Sequence, residues 1–546
     1  MKKKPAPKKF GKKAPFKSKG GKRPEIMDKE ALSAGHSYGT NGNDVSWDTK
    51  YPQLVKAASS LIFNQRYGFN YETIENLPAV ITGRSNAIPG VVGLTFRQLL
   101  ASKGTDADPI NVCSKNLYSY IRHANSGSAN YESSDLMQYV IAVLGIATEL
   151  EQCKRDLRLV LTYSPINQYV YRAILLNRGY TMTQINDMMT NHAVYTGYIN
   201  AIIAKLNTFK IPKEFSVFDR FAWMVTNIFK DDNLNKATYY YYNTLDRVHY
   251  DWANRKIVDS MINLSSYVTF GAYLDSINAE IDNLLAYEDI GIMTGDILKA
   301  YKQEGCRVWS GMNLGEVQDA SESLEVLFQI QNTTTYAVTE NIEITQVSAN
   351  SQLLQLDQKV SNATVAAAKT YGQLITLQAS NKNDTDTWDY NNCTFNPLLV
   401  MNSDEPNSED LITSTRGTVG SKFVYINDGS TSNSYSLIND YFLYIVCQIT
   451  ITRKESNGTF LNWTTQTLLQ YPDDTVENRR QNTIYKLLRQ ITCAPTLYRI
   501  FDNADVDVHT TGKNNQTVSP TWLARLHEAC TMSELSLPMF KLLESN

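Results

Sequence analysis

The chain has 546 residues, 42% of them hydrophobic, and its 52 Lys and Arg nearly balance 55 Asp and Glu to give a formal charge of −3. Such a length exceeds one ordinary core and predicts two or three domains, and the lack of any apolar run of about 18 residues argues against a membrane-spanning helix. The near-neutral total hides a split: residues 1–23 carry eleven positive charges and no negative one, leaving 41 basic against 55 acidic residues, about −14, in the body.

The eleven are Lys2, Lys3, Lys4, Lys8, Lys9, Lys12, Lys13, Lys17, Lys19, Lys22 and Arg23. Pro5, Pro7, Pro15 and Pro24, with Gly11, Gly20 and Gly21, prevent a continuous helix there. Phe10 and Phe16 are the only large apolar residues between Met1 and Ile26, too few to offset the entropy of ordering, so the segment is expected to be disordered when free. It has neither the apolar core of a secretory signal nor the apolar stripe of a membrane-surface helix. A tethered polycation on an acidic body points to nucleic acid as its partner, held by phosphate attraction without choice of sequence. Residues 24–46, with Gly35, Gly39 and Gly42, read as a linker, so 1–46 forms a basic arm.

From residue 47 to about 131 the chain is mixed, interrupted by Pro78, Pro89 and Pro109. Residues 133–310 read mainly as helix. Ser133 or Ser134 is placed to cap a helix running toward Leu161, and Ser164, Pro165 and Gly179 bracket the next. Thr181 and Gln184 have capping-box spacing for a helix to about Leu206, and further helices are predicted over 215–229, 274–287 and 290–301. The run Tyr239 to Tyr242 offers large rings with polar tips for core or interface packing.

Near Gly311 the composition turns to Thr, Asn, Ser, Val and Ile. Over 441–453, Leu443, Ile445, Cys447, Ile449 and Ile451 alternate with Gln448, Thr450 and Thr452, the pattern of a half-buried strand. Asn457-Gly458 predicts a hairpin into 459–469. Other strands are predicted over 324–331, 336–348, 372–379 and 421–427, with exposed loops at 381–392 and 402–415. Helical pattern returns over 476–490, Ser519-Pro520 marks a start before Trp522–Cys530, and 533–543 reads as a last helix. The expected class is α+β: helical flanks over 47–311 and 471–546 build one larger domain around a β-rich insertion at 312–470.

No catalytic signature accompanies this layout: there is no GxxxxGK[ST], no GxGxxG on a strand-to-helix turn, no HExxH and no GxSxG. His36, His123, His192, His249, His509 and His527 lack metal-ligand spacing, and Asp384, Asp386 and Asp389 have no EF-hand glycine or terminal glutamate in register. No metal or cofactor is expected, and His527-Glu528 reads as a surface pair. Cys113, Cys153, Cys306, Cys393, Cys447, Cys493 and Cys530 are dispersed and odd in number, which favours reduced thiols. The sequons at Asn332, Asn362, Asn383, Asn457 and Asn462 read as polar loops. Leu324-Glu325-Val326-Leu327-Phe328-Gln329 resembles a cleavage site of picornaviral main proteases, but Ile330 follows where a small residue is usual, so the run is read as a strand.

One segment is more specific. Tyr118-Ser119-Tyr120-Ile121-Arg122-His123-Ala124-Asn125-Ser126-Gly127-Ser128-Ala129-Asn130-Tyr131, followed by Asp135-Leu136-Met137, resembles a stretch of picobirnavirus capsid proteins. Thr162-Tyr163-Ser164-Pro165-Ile166-Asn167-Gln168-Tyr169 resembles the family in its position after the next helix. Ser128 stands where the family often has His, and Glu132 where it often has Asp, which marks a divergent member. Read from its residues alone, the turn-rich Ala124–Asn130 stretch is a loop that stabilises the fold. Arg122 and Asn125 are placed to bond neighbouring carbonyls, and His123 has no catalytic partner; with Gly127, Asn130 and Tyr131 they form a structural constellation.

The resemblance implies the coat protein of a small double-stranded RNA virus, assembling as homodimers into an icosahedral shell in the host cytoplasm and residing in the virion. It implies a largely helical shell domain from 47–311 and 471–546, a projecting domain over 312–470, and an inward basic arm that binds viral RNA. The competing readings are a non-capsid RNA-binding or RNA-chaperone protein, and an enzyme with an unrecognised site. A capsid protein that cleaves its own N-terminal arm is the most interesting form of the last.

Overall fold

A helix of 29 residues, Ser133–Leu161, organises the fold. At about 1.5 Å per residue it is roughly 43 Å long. Glu132, not Ser133 or Ser134, is its N-cap, and Glu132 and Asp135 close a reciprocal capping box. Nearly every side chain from Ser133 to Leu159 is buried, the mark of a helix enclosed on all sides. Helices Pro109–Asn125, His192–Leu206, Val217–Thr226 and Phe270–Leu285, with strand Asp246–Asp251, pack around it. Contact with that strand is close: a Cβ on Gly145 would lie 2.5 Å from Val248.

This computed structural model describes residues 47–48, 50–59, 90–98, 102–126, 130–162, 170–231, 237–335, 342–357, 398–401, 406–418, 443–454, 460–465 and 514–537, with short stretches between 422 and 509. The class is α+β. A six-stranded sheet runs, from one edge to the other, Phe460–Thr465, Tyr444–Lys454, Val91–Gln98, Tyr239–Thr244, Ile228–Lys230 and Ala320–Ser321. Val91–Gln98 is parallel to the tyrosine strand and antiparallel to Tyr444–Lys454. Tyr240, Tyr241 and Tyr242 are buried although successive side chains point to opposite faces, so both faces of this strand are covered. A second, antiparallel sheet pairs Asp246–Asp251, Lys256–Met261, Ile342–Gln346 and Leu354–Asp357.

Several expectations meet the structure as drawn. The capping box at Thr181 and Gln184 starts a helix, strand and hairpin occur at Tyr444–Lys454 and Phe460–Thr465, and Ser519-Pro520 opens Pro520–Glu534. Others are corrected. The predicted strand 324–331 is a helix, because Ser323 caps it and Val326, Leu327 and Ile330 bury one face while Leu324 stays exposed. The expected loop 402–415 contains a helix, Ser408–Ser414, started by a capping box between Asn407 and Asp410. The helix from Thr181 breaks at Asn191 into Met182–Thr190 and His192–Leu206, and Ile228–Lys230, Tyr239–Thr244, Asp246–Asp251 and Lys256–Met261 are strands where helix dominated the reading. The C-terminal part also includes strands at Leu497–Ile500, Val506–His509 and Asn514–Thr517. The predicted strand 372–379 and the loop at 381–392 lie outside the described residues, as do Ser164, Pro165 and all of the predicted helix 476–490 but Leu488.

The core does not divide at residues 312 and 470. Ile449 and Ile451 share one hydrophobic cluster with Val91, Leu144 and Tyr241. A smaller cluster joins Leu54, Leu399, Leu411, Leu523 and Cys530. Strand pairing explains this result: the middle of the large sheet needs a partner on each side of Val91–Gln98, and one comes from beyond residue 443.

Candidate functional site

The resemblance motif lies at the end of helix Pro109–Asn125, where Ser126 adopts a left-handed conformation that ends the helix. Asn125 donates from Nδ2 to the Asp296 carbonyl at 3.2 Å, and Tyr131 donates its hydroxyl to Asp296 Oδ2 at 2.9 Å. Two ends of the motif thus converge on one residue of helix Glu288–Gly305. Tyr131 also packs edge-on against Tyr118 at 5.9 Å, and burial, together with the Asp296 carboxylate, pushes its phenol well up from the ordinary value. Arg122 donates to the Tyr118 hydroxyl and lies over that ring, its carbon 5.7 Å from the centroid. Arg122, His123 and Asn130 are exposed, and Gly127 lies outside the described residues. The motif anchors a helix end to a neighbouring helix. Asp296 was not legible in the sequence, because it sits 165 positions beyond Tyr131.

A second constellation ties the start of the described chain to its end. Arg220 Nη1 lies 2.9 Å from Glu534 Oε1 and 3.3 Å from Asp48 Oδ1, while Nη2 donates to the Tyr444 hydroxyl at 3.0 Å. Arg416 reaches the same two carboxylates, with Nε 3.4 Å from Asp48 Oδ1. All four side chains are buried, so two guanidiniums face two carboxyls out of water. Burial pushes the Asp48 carboxyl up, but Arg416 and Arg220 overcome it and leave it below its ordinary value. For Glu534 burial wins, and its carboxyl is pushed up to about 8. Ser216 Oγ donates to the Trp47 carbonyl and Lys50 N donates to Ser533 Oγ, so the chain on either side of Asp48 is pinned as well. His527, read as a surface residue, is buried in this region with Nε2 3.2 Å from the Thr415 carbonyl.

The third buried group joins the two sheets. Arg97 Nε donates to Asp246 Oδ1 at 2.8 Å, and Nη2 donates to the Asp259 carbonyl at 2.9 Å. Asp259 carries its carboxylate oxygen 3.5 Å from Arg97 Nη2, and neither of its oxygens accepts a hydrogen bond from a protein donor. One guanidinium therefore serves two carboxyls. Burial, then the neighbouring Asp246, holds the Asp259 carboxyl well above the ordinary range.

The motif joins a helix end to its neighbour, and the other two groups are buried contacts between distant parts of the chain. Burial pushes the Cys113 and Cys493 thiols up to about 12, away from a thiolate nucleophile. Among the described residues no three His, Cys, Asp or Glu side chains gather as a metal site requires, and no helix is long and apolar enough to cross a membrane. The basic residues Lys2 to Arg23 lie outside the described residues, as do Asp384, Asp386 and Asp389.

Known proteins resemble the chain over nearly its whole length. The chain is 24% identical over 536 residues to a capsid protein precursor of human picobirnavirus, with 91% of each sequence covered. Its fold matches an X-ray structure of the picobirnavirus capsid with a TM-score of 0.67 at 18% identity, covering 90% of this chain and 98% of that one. The family model described as picobirnavirus capsid protein matches residues 47–461, from just before Asp48 to the start of the edge strand Phe460–Thr465, and the chain therefore belongs to the picobirnavirus capsid protein family.

Proposed function

We propose that the protein assembles as dimers into an icosahedral shell and packages double-stranded RNA through its basic arm. As a capsid protein it is a component of the virion, and capsid formation makes it a homo-oligomer. The observation that carries the packaging reading is the charge split: Lys2, Lys3, Lys4, Lys8, Lys9, Lys12, Lys13, Lys17, Lys19, Lys22 and Arg23 precede a body of about −14. Phosphate is the natural counter-charge for such an arm. The shell in this reading includes more than 47–311 and 471–546, because 443–465 supply two strands of the large sheet. The projecting part is correspondingly narrower than 312–470, and the hairpin Lys422–Ile426/Ser434–Ile438 is its described candidate. Assembly is placed in the host cytoplasm.

Deleting residues 1–23 tests the cargo. The truncated protein is expected to keep the melting temperature of the body while its particles lose most of their RNA, measured by absorbance ratio and extraction. Particles with unchanged RNA content would overturn the arm's role. The chain is read as structural and not as an enzyme. One relative is named a precursor, and self-cleavage of the arm has a direct test in intact mass. An unshortened chain in mature, purified particles would rule it out.

A further inference from the structure

Residues 307–318 cross the surface without regular secondary structure, yet they are held at every few residues. Arg307 is bonded to Asp219 and to the carbonyls of Lys213 and Phe215. Asn207 brackets Trp309 from both sides, accepting its N–H at 2.8 Å and donating to its carbonyl at 2.9 Å. Asn200 does the same to Met312, at 2.8 and 3.0 Å. Lys154 donates to the Ser310 carbonyl, and Gln318 donates its N–H to Thr162. Gly311 is required by this closeness, since a Cβ there would lie 2.5 Å from Asn200 Oδ1. Trp309 and Met312 point inward and are buried.

What this strap turns outward is apolar. Leu314 is 68% exposed, and Val308 and Val317 are also exposed. No charged residue occurs from 308 to 315, and the flanking charges Arg307 and Glu316 are paired with Asp219 and Arg158. The helix beneath, His192–Leu206, continues the pattern. Its outward residues Val194, Gly197, Ala201 and Ala204 are uncharged, and its one lysine, Lys205, is bonded to Asp282. A solvent-facing helix normally carries charges on that side. A rigid, charge-free apolar strip with ion pairs at its margin has the layout of an interface core with a polar rim.

We infer that the strap 308–317, with the outward face of helix His192–Leu206, is a contact surface for a second copy of this chain within the shell. The charge argues for that occupant: bodies of about −14 repel one another, and close approach requires faces where charge is absent or already paired. The inference rests on the assembly reading above. The full-length chain carrying Leu314→Asp and Val317→Asp tests it, against Ala253→Asp, which adds charge at an exposed turn between two strands. Electron microscopy at matched concentration is expected to show at least ten-fold fewer closed particles for the double variant and normal yield for the control, with unchanged urea midpoints. Normal particle yield from the folded double variant would overturn the inference and leave the capsid reading intact. Wild-type protein that forms no particles across salt and pH would overturn both. Hydroxyl-radical labelling of wild-type protein avoids any folding defect: Leu314 and Val317 should lose label several-fold on going from free subunits to particles, and equal labelling would overturn the contact.

Discussion

Glu534 and Asp48 face Arg220 and Arg416 in a sealed space, so the removal of one member leaves an uncompensated charge. Asp48→Asn is expected to lower stability by about 3 kcal/mol, measured by urea unfolding, because Asp48 stays ionised between the two arginines and a buried pair broken from one side costs about 3–5 kcal/mol. An unchanged midpoint would contradict the charge balance. Tyr131→Phe acts at smaller scale, deleting one bond to Asp296 at a cost of about 1.5 kcal/mol. Sequence reading found Asn125 and Tyr131 but neither Asp296 nor the ionic quartet. Single charged residues spread from 48 to 534 have no local pattern, and only folding places them together. Asn332 illustrates the same gap. Read as a sequon in a loop, it is buried and brackets Val400, accepting its N–H at 2.6 Å and donating to its carbonyl at 2.8 Å.

At the scale of elements, what the sequence made legible was punctuation. Capping boxes and Ser-Pro starts are local chemistry, and those at Thr181 and Ser519 mark helices as expected. Short apolar runs were ambiguous: Leu324–Gln331 fits either period, and its cap at Ser323 decided for helix. The tyrosine strand was missed because a strand covered on both faces shows no alternation. Gly145, unremarkable inside a long apolar helix, proves to be a spacing element. Gly145→Ala would drive a methyl group into Val248 and is expected to cost about 1–3 kcal/mol, measured by thermal melting. A neutral substitution would mean that strand Asp246–Asp251 yields freely.

For the whole molecule, electrostatics sets two further expectations. Salt dependence of RNA binding should approach a slope of about −10 in log K against log salt if all eleven arm charges meet duplex phosphates, and deletion of 1–23 should flatten it. An equal slope after deletion would place the binding elsewhere. Stability should also depend on pH through Asp259. Its folded pKa lies above the unfolded value, so the folded state binds the extra proton, and the contribution present in acid is lost as pH rises through the folded pKa. Asp259→Asn, neutral at every pH, should flatten the fall of melting temperature as pH rises above the ordinary carboxylate range; a variant as pH-sensitive as wild type would contradict this.

The bridging of Asp48 and Glu534 by Arg220 and Arg416 also bears on how the protein is made. Lys50 bonds Ser533 across 483 positions, and the large sheet takes a strand from beyond residue 443 to flank Val91–Gln98. Synthesis proceeds from the N-terminus, so a ribosome that has not reached the last helix holds a chain whose Arg220 and Asp48 lack Glu534 and whose sheet is incomplete. Prematurely ended translation products therefore cannot close the body that a shell requires. Completion of the chain is thus the step that closes the fold.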